Sequence, residues 1–139
     1  MATTRVEINE KIPSVTKTIT QEKINQFESC GILDRENIHN SPELAAKRLG
    51  TTYPIASGRM SISFAAESLR RFFGQEVFNH TGSVNLKFLR PVKSGDTITV
   101  YGAVKHREEV ANGTRVTVDI YCENQNGDKT AVGEGTAIM

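Results

Sequence analysis

The sequence has few of the residues that would identify a protein class at once. It contains no tryptophan and two cysteines, and its formal net charge is only +1. This near-neutral charge does not indicate nucleic acid or a membrane surface as a partner. Cys30 and Cys122 lie far apart and fit no metal-binding or redox spacing, so we expect two reduced thiols and no metal. The N-terminus lacks a secretory hydrophobic region, which predicts a cytoplasmic protein.

Core-forming residues are scarce as well. Hydrophobic residues make up 37% of the 139 residues. The length favours one domain, residues 1–139. A chain with a small hydrophobic core can bury more apolar surface through self-association, so we expect a homodimer.

The chain is organised around one long helix, which the spacing of apolar residues predicts from about Gly58 to Phe73. Its predicted buried face consists of Ile62, Ala65, Ala66, Leu69, Phe72 and Phe73. Met60 and Phe64 lie on the opposite side, so the first two turns are apolar nearly all round. Such a helix is normally enclosed by other elements. Exposed N–H groups at its start would attract developing negative charge.

Shorter helices are predicted before it. Thr20 can cap a helix from residue 21 to about residue 29. Ser41, Pro42 and Glu43 supply a capping hydroxyl, a proline at the first position and an acid in the first turn. That second helix is expected to end near Leu49, before Gly50.

Strands are predicted at residues 14–20 and, after Gly74, wherever apolar residues alternate with polar ones. The later strands are centred on Val84 to Phe88, residues 98–104, residues 116–122 and residues 129–138. Asn112-Gly113 indicates a type I′ hairpin, and Asn126-Gly127 a second hairpin. A long helix followed by an antiparallel meander predicts an α+β protein with a curved sheet wrapped on the helix.

One irregular loop carries residues suited to acid–base chemistry. Asp34 and His39 are five residues apart, with Asn37 between them. Such a pair can hold a water and exchange protons with it near neutral pH. The same residues also fit a polar loop with an Asx turn at Asp34 and a capping role for Asn40 or Ser41. Spacing alone favours this second interpretation.

Four short motifs follow one another along the chain: the segment Asp34–His39, then Ser41-Pro42-x-x-Ala45, then Pro54-Ile55-x-x-Gly58, then Phe88-x-Arg90-Pro91-Val92-x-x-Gly95-Asp96-Thr97. In this order they resemble the MaoC-like (R)-specific enoyl-CoA hydratases, over a region from about Ile19 to the C-terminus. The resemblance implies the single hot dog fold, in which a curved antiparallel sheet encloses a long helix. It also implies a hydratase or dehydratase without metal or cofactor, which acts on acyl-CoA or acyl-carrier-protein thioesters as a homodimer.

The resemblance also implies roles for individual residues. Asp34 and His39 would activate a water that adds to C3 of a trans-2-enoyl thioester. The Gly58 N–H would stabilise the enolate oxygen, and glycine there lets the substrate approach the main chain closely. Further candidate substrate-binding residues are Asn37, Ser57, Met60, Phe64 and Arg90. Ser57 can instead cap the helix, and Arg90 can be a solvated strand charge.

The sequence departs from the family pattern in two places. The family usually reads Asp-x-Asn-Pro-x-His, whereas here Asn37 comes one place later and the proline is missing. Where the family often has His-Gly before an apolar residue, this chain has Ser57-Gly58-Arg59. Two alternatives therefore stay open, a hot dog thioesterase and a non-catalytic acyl-binding module.

Overall fold

The computed structural model describes residues 5–29, 37–51 and 53–139. Its helices are α1 (Gln21–Ser29), α2 (Pro42–Leu49), α3 (Gly58–Phe73) and α4 (Gln75–Thr81). Its strands are β1 (Val15–Thr18), β2 (Ser83–Phe88), β3 (Thr97–Val110), β4 (Gly113–Glu123) and β5 (Lys129–Ile138).

The strands form one antiparallel sheet in the order β1-β3-β4-β5-β2. β3, β4 and β5 are a meander, in which Tyr101 pairs with Tyr121 and Tyr121 pairs with Val132. One face of the sheet is buried; it includes Ile98, Val100, Val104, Val116, Val118, Ile120, Cys122, Ala131 and Ala137. α3 contacts all five strands. The predicted α+β architecture, with a sheet wrapped on one long helix, is confirmed.

α3 has the predicted bounds because both of its ends are specified locally. Ser57 caps the start, and Gly74 follows the last residue with a φ of 90°. Between these ends Ala65 and Leu69 are fully buried against the sheet. A Cβ on Gly135 of β5 would lie 2.4 Å from Leu69 Cδ1. Glycine at this position therefore lets the helix approach β5 closely.

Two details of the sequence prediction were wrong. Residues after Gly74 do not enter a strand at once, because Gln75–Thr81 forms α4 with Phe78 buried. Seven residues are too few to show a helical period. The first hairpin exists, but Val110 pairs with Gly113, so its central residues are Ala111 and Asn112. Among the described non-glycine residues only Asn9 has a positive φ, which excludes a type I′ turn here.

Candidate active site

The amino end of α3 is the polar centre of the site. Ser57 Oγ accepts a hydrogen bond from the Arg59 amide at 3.2 Å, and the Ser57 carbonyl accepts one from the Met60 amide at 3.0 Å. The capping role of Ser57 is thereby confirmed. The Gly58 amide has no acceptor among the residues that the structure describes. With no acid in the first turn, this end of the helix can stabilise a negative charge.

The residues before α3 join three parts of the chain. The Ile55 amide donates to the Ile38 carbonyl at 3.1 Å. The Ala56 amide donates to the Val92 carbonyl at 2.6 Å, and Ile55 forms a β-bridge with Lys93. This short extended piece therefore lies between the loop that carries His39 and the connection that follows β2.

His39 is attached to this piece through its ring. Its Nδ1 lies 2.8 Å from the Ile55 carbonyl oxygen. A carbonyl only accepts, so Nδ1 carries the proton and the lone pair of the neutral ring is on Nε2. The His39 amide donates to Asn37 Oδ1, and Gln21 Nε2 donates to the His39 carbonyl, both at 2.8 Å. These contacts attach the half-buried imidazole to Ile55, three residues before Gly58, and leave Nε2 as a nitrogen that can take a proton.

The other member of the predicted pair, Asp34, lies outside the described residues, as do Cys30 and the predicted Asx turn at Asp34. An Asx turn does occur at Asn37, whose Oδ1 binds the amide two residues later. The predicted capping role of Ser41 is confirmed, because its Oγ accepts from the Leu44 amide at 3.2 Å. Both the catalytic pair and a substrate contact for Asn37 stay predictions.

A cavity of about 330 Å³ opens beside the first turn of α3. Ser57, Gly58 and Arg90 are among the residues that line it. This volume is at the lower end of the range for small-molecule sites. Phe88 and Leu89 also line it, although their side chains are 50% and 47% exposed. The cavity therefore combines the helix amides with an apolar rim and an exposed cation.

The Phe88 ring rests on Gly58. A Cβ at Gly58 would lie 2.6 Å from Phe88 Cζ, so the glycine is required for this contact. Sequence patterns assign no separate role to Phe88. One sequence feature could have indicated its exposure: Phe88 and Leu89 are consecutive apolar residues at the end of an alternating strand, so at most one of them can face the core.

Two predicted pocket residues belong to the hydrophobic core. Met60 is 5% exposed, and Phe64 packs against the same core cluster. Their contact with an acyl chain stays a prediction. Arg90 is exposed beside the cavity, a place that fits either a phosphate contact or a solvated charge.

Other chemistry has little support in the described part of the chain. Burial raises the pKa of the Cys122 thiol to about 11, so the thiol is protonated at neutral pH and is a poor nucleophile. Within residues 5–29, 37–51 and 53–139, no three His, Cys, Asp or Glu side chains are grouped so that they could hold a metal ion. None of the helices described is both long and apolar enough to span a membrane.

Comparison with known proteins identifies the family and the fold of the chain. Residues 4–126 match the MaoC-like domain family. A monoamine oxidase regulatory protein from Archaeoglobus fulgidus is 25% identical, with a TM-score of 0.77, and the match covers 96% of this chain and 90% of that one. No protein with a curated description matches.

Two (R)-hydratases have the same fold. The unliganded enzyme from Pseudomonas aeruginosa is 24% identical, with a TM-score of 0.74 over 96% of this chain and 81% of that one. The enzyme from A. caviae, involved in PHA biosynthesis, is 21% identical, with a TM-score of 0.76 over 96% and 97%. Given the match over residues 4–126, the chain belongs to the MaoC-like domain family and has the hot dog fold.

Proposed function

We propose that the protein is a hydratase or dehydratase of acyl thioesters, which adds water across a trans-2-enoyl thioester or removes it. One observation carries the proposal. The His39 ring is hydrogen-bonded through Nδ1 to Ile55, three residues before Gly58, whose amide has no acceptor within the described residues. A base and an oxyanion donor are thus joined by one short piece of chain.

In the proposed reaction Asp34 and His39 bind a water between them and take its proton as its oxygen attacks C3. The electrons of the C2–C3 double bond move toward the thioester carbonyl, whose oxygen becomes an enolate. The Gly58 amide donates a hydrogen bond to that oxygen. As the enolate collapses, the protonated pair returns a proton to C2, so that one water is added in total; the reverse sequence is dehydration. An oxyanion donor of this kind contributes about 3 kcal/mol to catalysis.

The (R)-hydratases among the structural neighbours are consistent with this proposal. Arg90 at the cavity would contact phosphates of the CoA or carrier-protein arm. We also propose a homodimer in which β2 pairs with its copy, because pairing removes an exposed sheet edge.

The test is loss of the enoyl absorbance when the protein is mixed with crotonyl-CoA or a longer analogue. The proposal predicts a decrease that depends on enzyme concentration, and no release of free CoA thiol. Thiol release without hydration would instead support the thioesterase. Tight binding of acyl-CoA without turnover would support the non-catalytic module. His39→Ala is the matched inactive control.

A further inference from the structure

A buried carboxylate lies at the end of α1. Glu28, in the last turn of that helix, is 5% exposed. Its Oε2 lies 3.5 Å from Arg59 Nη2, whereas its Oε1 has no hydrogen-bond partner among the described residues. A buried charge is costly unless it is paired, and among the described residues the cation that pairs with Glu28 is Arg59.

Arg59 is in an unusual place for a cation. It is the second residue of α3, in a first turn that contains no acid. The helix dipole disfavours a positive charge there. Arg59 Nε donates to Ser57 Oγ at 3.3 Å, the oxygen that also caps the Arg59 amide. The guanidinium therefore connects the cap of α3 to Glu28 of α1.

The opposite end of α1 contacts the other half of the site. Gln21, its first residue, donates through Nε2 to the His39 carbonyl at 2.8 Å. The nine residues of α1 span about 13 Å. A single short helix thus binds the backbone of His39 at one end and the start of α3 at the other.

We propose that Glu28 and Arg59 are positioning residues for the hydration reaction, an inference that rests on the proposed function. Their ion pair fixes α1 against α3, and this keeps the His39 imidazole and the Gly58 amide in a constant position relative to each other. Arg59 also neutralises a buried anion that would otherwise oppose enolate formation at the same helix end. Arg59, which replaces the apolar residue that the family often has at this position, is then explained by its ion pair with Glu28.

The experiment is a double-mutant cycle of Arg59→Gln and Glu28→Gln, with kcat and KM measured on crotonyl-CoA. Arg59→Gln leaves an unpaired buried carboxylate, so kcat should fall about tenfold, within the coupling expected for contacting residues, while KM stays within about twofold. The double variant should recover most of that kcat. Arg59→Lys keeps the charge but lacks the planar guanidinium that contacts both Ser57 and Glu28, so its kcat should lie between those of Arg59→Gln and the wild type.

Arg71→Gln is the matched control. It removes the same charge from the same helix, where Arg71 Nη2 lies 3.4 Å from Glu67 Oε2. Its kcat should equal that of the wild type. The inference is overturned if Arg59→Gln and Arg71→Gln behave alike, or if the double variant is no better than Arg59→Gln.

A second readout separates this inference from the proposed function. In ¹⁵N-labelled protein, the amide signals of His39 and Gly58 should shift together in Arg59→Gln and return toward wild-type positions in the double variant. If the wild type shows no hydration, the proposed function fails, and these signals still decide whether the ion pair positions the two groups. Unchanged signals would reject it.

Discussion

At the scale of single residues, the site depends on backbone groups as much as on side chains. The Ile55 carbonyl selects the tautomer of His39, and the Gly58 amide is the candidate oxyanion donor. Gly58 also has a steric role, because the Phe88 ring lies against it. A side chain introduced at position 58 would therefore affect the reaction through the space that it occupies.

Gly58→Ala should weaken catalysis because it displaces the Phe88 ring, which lines the cavity. The added methyl group would lie 2.6 Å from Phe88 Cζ, so the ring must move. We expect KM for crotonyl-CoA to rise by about tenfold. The protein should stay folded, because alanine is a better helix former than glycine. Gly58→Ala combined with Phe88→Ala should recover part of the loss. Equal kinetics for Gly58→Ala and wild type would contradict a close approach at this glycine.

Cys122 should make stability depend on pH above neutrality. Burial raises its pKa from 9.0 to about 11. The folded state therefore favours the protonated thiol, and this contribution is complete below pH 9 and lost as the pH rises toward 11. A rise of this size corresponds to about 3 kcal/mol as an upper limit. Urea unfolding from pH 8 to 11 should show a steeper loss for the wild type than for Cys122→Ala; parallel curves would contradict this effect.

At the scale of elements, what could be predicted from sequence is what is encoded locally. α2 begins at Pro42, directly after its cap Ser41, and α3 ends before Gly74; these capping signals lie within a few residues of each boundary. α4 was missed because seven residues carry too little pattern. The turn at 110–113 was misassigned because Asn-Gly favours type I′ turns, whereas here Gly113 is already the first strand residue.

The candidate site divides in the same way. The sequence alone identifies Ser57, Gly58 and His39 as candidates, because each lies in a short recognisable motif. It does not identify the groups whose roles arise from contacts between separate elements, which are the Ile55 carbonyl, Gln21, Phe88 and the Glu28 carboxylate. No spacing in the sequence indicates that residue 28 reaches residue 59.

The contact of α3 with β5 gives a stability prediction. Gly135→Ala would place a methyl group 2.4 Å from Leu69 Cδ1, and overpacking of this kind costs about 1–3 kcal/mol. Leu69→Ala alone should cost about 2–5 kcal/mol through the cavity that it leaves. The double variant should be less destabilised than the sum, as measured by urea unfolding. Strict additivity would show that helix and strand do not compete for this space.

At the scale of the whole molecule, the sheet has β1 and β2 at its edges, and the exposed apolar residues Phe88 and Leu89 lie at the end of β2. The proposed dimer should give a mass near twice 15.3 kDa in sedimentation equilibrium. Leu89→Glu should shift the protein toward monomer, because it places a charge beside the paired edge. Tyr101→Glu, at an exposed aromatic residue of β3, is the control and should remain dimeric. A wild type that sediments as a monomer would contradict the proposal.

The central claim is that Asp34 and His39 act as one unit on a single water above the start of α3. The most direct measurement is the kcat of crotonyl-CoA hydration for Asp34→Asn, His39→Ala and the double variant. Each single change should lower kcat by about 10²–10⁴, the usual contribution of a general acid–base group. The double variant should be little worse than either, as expected for residues that act together. An Asp34→Asn protein with wild-type kcat would contradict the account.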